Sequence, residues 1–232
     1  ISPPALRRFQ SLSRKRSHGV PIAYLTGHKE FYGLDFFIEP GVFIPRPETE
    51  LLVEVTIERV RDTGYGVRIL DVGTGSGCIA IALAKYSTHA QITAIDISRK
   101  ALKLAKKNSL LHGVSDRITF LQSDLLENVM VSDIVVANLP YIGENENHFV
   151  SKEVLDHEPP DALFGGETGL ELYEKLFAQI RALPRLPRWL IGEIGFLQQE
   201  AIERCIRQYF GNISLKFQND LSGLPRLFSI SL

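Results

Sequence analysis

The segment with the clearest chemical signature is Asn138-Leu139-Pro140-Tyr141, at the end of the apolar stretch Asp133–Asn138. The nitrogen of an amide or an aromatic amine is a weak nucleophile, because its lone pair is delocalised. The side-chain oxygen of Asn138 and a nearby main-chain carbonyl can both accept hydrogen bonds from such an NH2 group, and Tyr141 can pack against its plane. This arrangement turns the lone pair toward an activated methyl group, and orientation carries most of the rate of such a transfer.

A glycine-rich loop, Asp71–Cys78, joins a predicted strand to a predicted helix. Glycines let the main chain approach a ligand closely, and a helix N-terminus offers free N–H groups. A dinucleotide-binding loop places its third glycine three residues after the second, whereas Gly77 comes two residues after Gly75. The carboxylate of Asp71 repels a pyrophosphate and attracts a cation, so the loop favours S-adenosylmethionine with its ammonium and sulfonium groups. The predicted cofactor contacts here are Asp71, Val72, Gly73, Thr74, Gly75 and Gly77.

Acidic residues follow the next two predicted strands. Asp96 closes the second strand, 25 residues after Asp71, where a carboxylate can accept hydrogen bonds from both ribose hydroxyls. Asp124 follows the third strand and is placed to accept the adenine amino group, with Leu125 packed on the ring. The alternative is a plain strand-to-helix turn with Asp124 as a cap. Because parallel strands place their carboxyl ends together, we expect Asn138 to face the cofactor as well.

Short apolar segments alternate with amphipathic ones from residue 68 onward, which predicts a mostly parallel sheet covered by helices on both faces. Strands are predicted at Arg68–Val72, Gln91–Asp96, Arg117–Leu121, Asp133–Asn138, Arg188–Glu193, Asn212–Phe217 and Arg226–Ser231. Helices are predicted at Cys78–Lys85, Arg99–His112, Leu170–Ala182 and Phe196–Tyr209. The last two strands are joined without a helix and should pair antiparallel. The predicted fold class is α/β: a Rossmann-like, doubly wound, seven-stranded mixed sheet with an antiparallel edge strand, preceded by a β-hairpin.

The N-terminal part of the chain has a different pattern. Residues 1–19 are basic and place apolar residues at helical spacing, as in the tail of a truncated N-terminal helical domain. The alternatives for this basic segment are a solvated helix end and a contact with RNA or an acidic partner. Residues 20–47 are predicted to form a β-hairpin around Glu30–Ile38 and a connecting segment stiffened by prolines. A helix is predicted to follow and to run to about Asp62, and residues 48–232 are predicted to form the α/β domain.

Composition narrows the class of protein. The 232 residues are 44% apolar and 23% charged, with a net charge of −1, which excludes disordered and low-complexity classes. The near-neutral charge argues against nucleic-acid binding over the whole surface. Cys78 and Cys205 give neither a disulfide framework nor a Cys-rich zinc site and suit a reducing compartment. Because no apolar run approaches the roughly 20 residues of a membrane helix, we expect a cytoplasmic chain with no membrane contact.

Two further signals have structural interpretations. His148, Glu153, His157 and Glu158 match no common zinc spacing, so no metal site is expected and their segment is interpreted as a loop. Glu193 ends a predicted strand near the site. A carboxylate in that position is more often a structural hydrogen-bond acceptor than a catalytic base.

Several segments together resemble the release-factor glutamine N5-methyltransferase family, within the class I S-adenosylmethionine-dependent methyltransferases. They are Pro21–Gly27, Phe43–Glu50, Asp71–Gly77, Asn138–Tyr141 and Glu158–Gly166 with Gly169-Leu170. The resemblance covers nearly all of residues 20–232. It implies that S-adenosylmethionine is the cofactor, that residues 48–232 form the methyltransferase domain, and that the substrate is the glutamine in the Gly-Gly-Gln loop of peptide-chain release factors.

Transferred residue by residue, the resemblance makes Asn138, Pro140 and Tyr141 the catalytic candidates. The substrate-binding candidates are Phe43, Pro45, Arg46, Asn138, Leu139, Pro140 and Tyr141. The family's usual motif is Asn-Pro-Pro-Tyr, and Leu139 departs from it. Proline fixes φ and has no N–H, so the carbonyl at this position is expected to be less rigidly aimed in an enzyme that is still active.

Two other functions stay open at this point. A nucleic-acid adenine N6-methyltransferase uses the same four-residue motif on the same kind of NH2 group. Such a base-flipping enzyme should carry a large basic recognition surface, which a net charge of −1 does not indicate, so no direct DNA binding is expected. The other function is a scaffold that binds the cofactor without catalysis, which Leu139 would permit.

Overall fold

A computed structural model of the chain describes residues 2–127, 129 and 132–232. The helices are α1 (Pro3–Ser17), α2 (Ile22–Thr26), α3 (Glu50–Thr63), α4 (Cys78–Tyr86), α5 (Arg99–Leu111), α6 (Lys152–His157), α7 (Glu171–Arg181) and α8 (Gln199–Phe210). The strands are β1 (His28–Phe31), β2 (Leu34–Phe37), β3 (Arg68–Val72), β4 (Gln91–Asp96), β5 (Ile118–Gln122), β6 (Ile134–Ala137), β7 (Ile142–Gly143), β8 (Phe164–Gly166), β9 (Trp189–Glu193), β10 (Ser214–Asn219) and β11 (Pro225–Ser231). Short 3-10 helices occupy Pro47–Thr49, Ser115–Arg117, Glu144–Phe149 and Pro160–Ala162.

Seven strands form the main sheet, in the order β10-β11-β9-β6-β3-β4-β5. The five strands from β9 to β5 run parallel to one another. β11 runs antiparallel to both of its neighbours, β9 and β10. The predicted Rossmann-like mixed sheet is therefore confirmed, and the reversed strand lies one place in from the edge.

The residues of β6 show how the sheet is covered on both faces. Ile134 and Val136 belong to one apolar cluster, with side chains of α3 and α4. Val135 and Ala137 belong to the cluster on the other face, with side chains of α7 and α8. Successive side chains of a strand point to opposite faces, so a strand between two helical layers needs an uninterrupted apolar run.

The order of the strands creates a switch point between β3 and β6. The chain passes from β3 to β4 and β5 on one side and then returns to place β6 on the other side of β3. Val72, the last residue of β3, pairs with Ala137, the last residue of β6. The loops that follow these two strands therefore leave the sheet side by side, where open α/β sheets bind their ligands.

The predicted strands and helices of the α/β domain are confirmed, with no end shifted by more than three residues. The shift that matters for the site is in β6, which ends at Ala137 rather than at the predicted Asn138. The hairpin is also confirmed: β1 and β2 pair antiparallel around Tyr32 and Gly33, which both have positive φ angles. Two such residues form the tight turn that suits the twist of a hairpin.

The interpretation of the segment from His148 to Glu158 as a loop is wrong. It contains α6, in which the Ser151 side chain accepts a hydrogen bond from the Val154 N–H at the start of the helix. On either side of that segment, β7 and β8 pair with each other as a small separate sheet, which the sequence did not predict. These elements are too short to show a hydrophobic period in the sequence.

Helix α1 confirms the helical spacing seen in residues 1–19, and none of its residues is buried. Arg16 in its last turn contacts Glu153 of α6 at 2.6 Å. Of the helices in the described part of the chain, none is both long enough and apolar enough to cross a membrane.

Candidate active site

A cavity of about 1050 Å³ opens at the carboxyl ends of β3, β4 and β6. It brings together most of the residues that the sequence predicts for the site. Those that line it are Phe43, Pro45, Arg46, Val72, Gly73, Thr74, Gly75, Asp96, Asp124, Leu125, Asn138, Leu139, Pro140 and Tyr141. Asp71 and Gly77 are outside the cavity wall.

The glycine loop folds over the ends of β3 and β4. The N–H groups of Gly73 and Thr74 both donate to the main-chain oxygen of Ile95, at 2.9 Å each. Gly73 and Gly75 have positive φ angles, which favour glycine. Gly77 also has a positive φ angle, and in addition a Cβ there would lie 2.9 Å from the Cβ of Ala105. It therefore allows α4 to pack closely on α5.

Asp71 lies beneath this loop and is fully buried. Its Oδ2 accepts a hydrogen bond from the Thr74 hydroxyl at 2.6 Å, whereas its Oδ1 has no partner among the described residues. Burial raises the pKa of Asp71 to about 7, against the opposing effect of the Thr74 hydrogen bond. The carboxyl therefore reaches the cavity through Thr74, which does line it.

Asp96 is held by main-chain donors on both of its oxygens. Oδ2 accepts from the Gly75 N–H at 2.9 Å, and Oδ1 accepts from the Ser98 N–H at 2.8 Å. Burial raises the pKa of Asp96, and these two hydrogen bonds oppose that shift. Each carboxylate oxygen can accept more than one hydrogen bond, so Asp96 is fixed in place and still able to bind hydroxyl groups.

Asp124 lies on the cavity wall next to Leu125. Its carboxylate forms an ion pair with Lys175 at 2.5 Å, and the two side chains are 37% and 43% exposed. This carboxylate therefore already has a charged partner from α7.

The Asn138–Tyr141 motif is held by three other segments of the chain. The Asn138 Nδ2 donates to the Thr49 hydroxyl oxygen at 3.1 Å. The Tyr141 hydroxyl donates to Glu193 Oε1 at 3.3 Å, and the Gln198 Nε2 donates to the Tyr141 main-chain oxygen at 2.6 Å. Burial, together with the charge of Glu193, raises the pKa of the Tyr141 phenol.

Glycines of the following segment let the chain pass close to this motif. A Cβ at Gly165 would overlap with the main-chain oxygen of Pro140, and a Cβ at Gly169 would overlap with that of Tyr141. These glycines belong to the motifs that the sequence singled out, and the structure shows a steric reason for them.

Phe43, Pro45 and Arg46 form another part of the cavity wall. The Arg46 guanidinium pairs with Glu158, whose side chain is 1% exposed. It also lies 4.9 Å from the ring centre of Phe43. Glu158 accepts a further hydrogen bond from the Ile44 N–H at 3.2 Å, so this single carboxylate orients the whole segment.

Two residues that organise the site, Thr49 and Gln198, had no assigned role in the sequence. Thr49 lies within the Phe43–Glu50 motif, so it carried some signal, and Glu193 was interpreted as a structural acceptor at a strand end, which its hydrogen bond from Tyr141 agrees with. Gln198 carried no signal, because a polar residue within the predicted helix Phe196–Tyr209 does not indicate a contact with the site. No group of His, Cys, Asp or Glu side chains within the described residues is arranged to hold a metal ion.

Sequence comparisons place this geometry in a known family. The family model "Methyltransferase small domain" matches residues 33–167. The release factor glutamine methyltransferase of Koribacter versatilis is 39% identical over 224 residues, covering 95% of this chain and 78% of the relative. That of Bacillus anthracis is 34% identical over 226 residues, covering 94% and 79%. The chain belongs to the release factor glutamine methyltransferase family. It is a methyltransferase with the Asn138–Tyr141 motif at its cavity.

Solved structures agree with the fold of this methyltransferase. The ribosomal protein L11 methylase of Lactobacillus delbrueckii subsp. bulgaricus superposes with a TM-score of 0.56 at 23% identity, covering 84% of this chain and 83% of that one. The N-terminal domain of human METTL16 in complex with SAH superposes with a TM-score of 0.60 at 21% identity, covering 86% and 76%. At these identities the likeness is one of fold.

Proposed function

We propose that this chain transfers a methyl group from S-adenosylmethionine to the side-chain amide nitrogen of the glutamine in the Gly-Gly-Gln loop of peptide-chain release factors. The observation that carries the proposal is the adjacency of the Asn138 motif and the glycine loop. A Cβ built on Gly73 would lie 3.4 Å from Leu139 Cδ2 and 3.7 Å from the main-chain oxygen of Asn138. The names of the relatives support the choice of substrate.

The residues around the glycine loop fit the proposed cofactor. Gly73 and Gly75 leave the main chain open to a close approach, and Asp96 keeps acceptor capacity for two hydroxyl groups. We propose that the cofactor contacts are Val72, Gly73, Thr74, Gly75, Asp96, Asp124, Leu125 and Asn138, with Asp71 and Gly77 supporting the loop. When bound, S-adenosylmethionine supplies a methyl group activated by the sulfonium charge, so the chain needs no strong base at the outset.

Asn138 is proposed to orient the target amide. Its Nδ2 is already engaged by Thr49, which leaves its Oδ1 to accept a hydrogen bond from the glutamine NH2 group. A neighbouring main-chain carbonyl accepts from the second N–H, and Tyr141 packs against the amide plane. Leu139 and Pro140 shape the wall between them, while Phe43, Pro45 and Arg46 bound the entrance.

The proposed function is tested by methyl transfer from labelled S-adenosylmethionine to three acceptors. They are a peptide-chain release factor, the same factor with alanine in place of the glutamine of its Gly-Gly-Gln loop, and adenine-containing DNA. We expect label on the first acceptor alone. Label on DNA alone supports the adenine N6 alternative, and label on no acceptor supports a non-catalytic scaffold.

A variant pair connects this activity to the motif. Asn138→Ala is expected to lower kcat by about a hundredfold, because orientation of the target amide is lost. Asn219→Ala serves as the matched control, since Asn219 is exposed on β10 and lies outside the cavity wall. Full activity of Asn138→Ala would remove Asn138 from its proposed role.

The same proposal includes the division of the chain and its location. We propose that residues 1–19, with α1, are the tail of a helical domain that contributes to release-factor recognition. Residues 20–47 form the β-hairpin and the segment that connects this tail to the methyltransferase domain, which comprises residues 48–232. The exposed Leu6 and Phe9 of α1 support this reading of the tail. A cytoplasmic location is supported by the proposed substrate and by the two free cysteines.

A further inference from the structure

The orientation of the Asn138 side chain depends on a buried hydroxyl. Asn138 Nδ2 donates to Thr49 Oγ1 at 3.1 Å, and Thr49 is 1% exposed. A carboxamide can be turned over, which exchanges its oxygen and its nitrogen with little change of shape. Only the orientation with the nitrogen on Thr49 leaves Oδ1 free for a target NH2 group. What holds the Thr49 hydroxyl therefore decides which end of Asn138 the substrate meets.

Glu193 lies close to this hydroxyl and to the other end of the motif. Its side chain is buried at the end of β9, the strand next to β6. Oε1 accepts from the Tyr141 hydroxyl at 3.3 Å, and Oε2 has no partner within the described residues that meets normal hydrogen-bond geometry. The Thr49 hydroxyl is nevertheless near enough to lower the pKa of Glu193. Glu193 therefore faces the Thr49 hydroxyl, which holds Asn138, and the hydroxyl of Tyr141 itself.

We propose that Glu193 is a positioning residue for methyl transfer. Through the Thr49 hydroxyl it keeps the Asn138 oxygen turned toward the target amide. Through the Tyr141 hydroxyl it keeps the Tyr141 ring in place. The proposal rests on the proposed function. Its physical basis is the single hydrogen of a hydroxyl group. An ionised carboxylate can only accept hydrogen bonds, so it takes the hydrogen of Thr49 and leaves the hydroxyl lone pairs facing Asn138 Nδ2.

Protonation of Glu193 would reverse this polarity. A protonated carboxyl can donate to Thr49, and the Thr49 hydrogen is then free to turn toward Asn138 and to select the opposite amide orientation. Burial raises the pKa of Glu193 to about 7, opposed by the Thr49 and Tyr141 hydroxyls. The other charged or titratable groups facing it are Arg226 of β11, Glu48, Tyr173 of α7 and Cys78 of α4. Activity is therefore expected to fall as the pH falls through about 7.

The kinetic test compares Glu193→Gln with Thr49→Val, each of which keeps the size of the side chain and removes one member of the relay. We expect kcat to fall by about tenfold to a hundredfold in each, with the KM for the release factor changed much less. The acidic limb of the pH profile should disappear in Glu193→Gln. Thr49→Ser should recover most of the activity that Thr49→Val loses, because it restores the hydroxyl. The double variant should lose little more than either single variant.

Glu200→Gln is the matched control, because Glu200 is an exposed residue of α8 whose side chain is 92% exposed. It should behave as the unmodified chain. A Glu193→Gln variant with unchanged kcat and an unchanged acidic limb would overturn the proposal. If that variant does not fold, the Thr49→Val and Thr49→Ser pair still decides, since equal losses in both would overturn the role of the hydroxyl.

A spectroscopic test needs no substrate and no cofactor. In the chain labelled with nitrogen-15 asparagine, the Asn138 side-chain amide is identified by its absence in Asn138→Ala. We expect its resonances to shift with pH around 7 in the unmodified chain and in Thr49→Ser, and to stay constant in Glu193→Gln. A resonance that does not titrate, or that titrates equally in Glu193→Gln, would overturn the proposal. If the release factor is not methylated, the proposed function fails on its own while this measurement still reports on Glu193.

Discussion

Leu139 shows how one residue can change a motif without moving it. It lines the cavity, is 3% exposed, and lies two residues after the end of β6, where the usual motif has its first proline. Burial raises the pKa of the Tyr173 phenol, and the main-chain N–H of Leu139 opposes that shift. A leucine therefore keeps a hydrogen-bond donor that a proline lacks, and it leaves the main-chain torsion φ less restricted.

Leu139→Pro is expected to keep or raise the rate of release-factor methylation, because a fixed φ aims the carbonyl more rigidly. The loss of the N–H should lower the free energy of unfolding by about 1 kcal/mol. Single-turnover methylation and urea denaturation measure the two effects separately. A large loss of activity in a folded variant would contradict the interpretation of Leu139 as a tolerated departure.

Between elements, the ion pair of Arg46 and Glu158 joins the segment before α3 to the segment after α6. Glu158→Gln removes a buried charge that also accepts from the Ile44 N–H. We expect the free energy of unfolding to fall by about 2 kcal/mol, less than for a fully buried pair because Arg46 is 29% exposed, and the KM for the release factor to rise. Urea denaturation and steady-state kinetics check this.

The matched control for that variant is Glu153→Gln. Glu153 pairs with Arg16 at 2.6 Å, but both side chains are substantially exposed. Exposed ion pairs contribute less than about 1 kcal/mol, so this variant should be nearly as stable as the unmodified chain. Equal losses in the two variants would contradict the role given to Glu158.

The small sheet of β7 and β8 makes a second prediction at this scale. Gly165→Ala places a methyl group against the main-chain oxygen of Pro140, so it should displace the motif and lower kcat by about a hundredfold. Gly113→Ala is the control for the steric effect, because Gly113 has open space around its Cβ position. Gly113 has a positive φ, which Gly165 does not, so this control should cost about 1 kcal/mol of stability and no activity. Normal kcat in Gly165→Ala would refute the steric argument.

The length of an element decided whether it could be predicted from the sequence. The long apolar and amphipathic segments predicted the main sheet, and the parallel order of β3 and β6 predicted that Asn138 would face the glycine loop. The elements α6, β7 and β8 have at most six residues each, which is too few for a period to appear. The contacts of Thr49, Glu193 and Gln198 with the motif could not be predicted, because they join segments that only the folded chain brings together.

At the scale of the whole molecule, two buried carboxyls lie at the same edge of the sheet. Asp71 belongs to β3 and Glu193 to β9, the two strands on either side of β6. Each has one oxygen without a partner among the described residues, and burial raises the pKa of each to about 7. A buried charge without full compensation is unfavourable, so the ionised carboxylates of Asp71 and Glu193 lower the stability of the folded chain.

This arrangement predicts that the chain becomes more stable as the pH falls from 8 to 5. Both folded-state pKa values lie above the unfolded values, so the folded chain binds more protons in this window and its stability rises until the unfolded pKa is reached. Each pKa unit corresponds to about 1.4 kcal/mol, which makes the combined gain on the order of several kcal/mol. Urea denaturation of the chain without ligands at each pH measures it.

The variants Asp71→Asn and Glu193→Gln separate this effect from other titrations. Each removes one raised pKa, so each should flatten the dependence of stability on pH, and the double variant should flatten it most. At pH 8, Glu193→Gln should be at least as stable as the unmodified chain, because it removes a buried charge. A variant that is more stable and yet slower identifies a residue kept for positioning, whereas a large loss of stability at pH 8 would show that the ionised carboxylate holds the fold together.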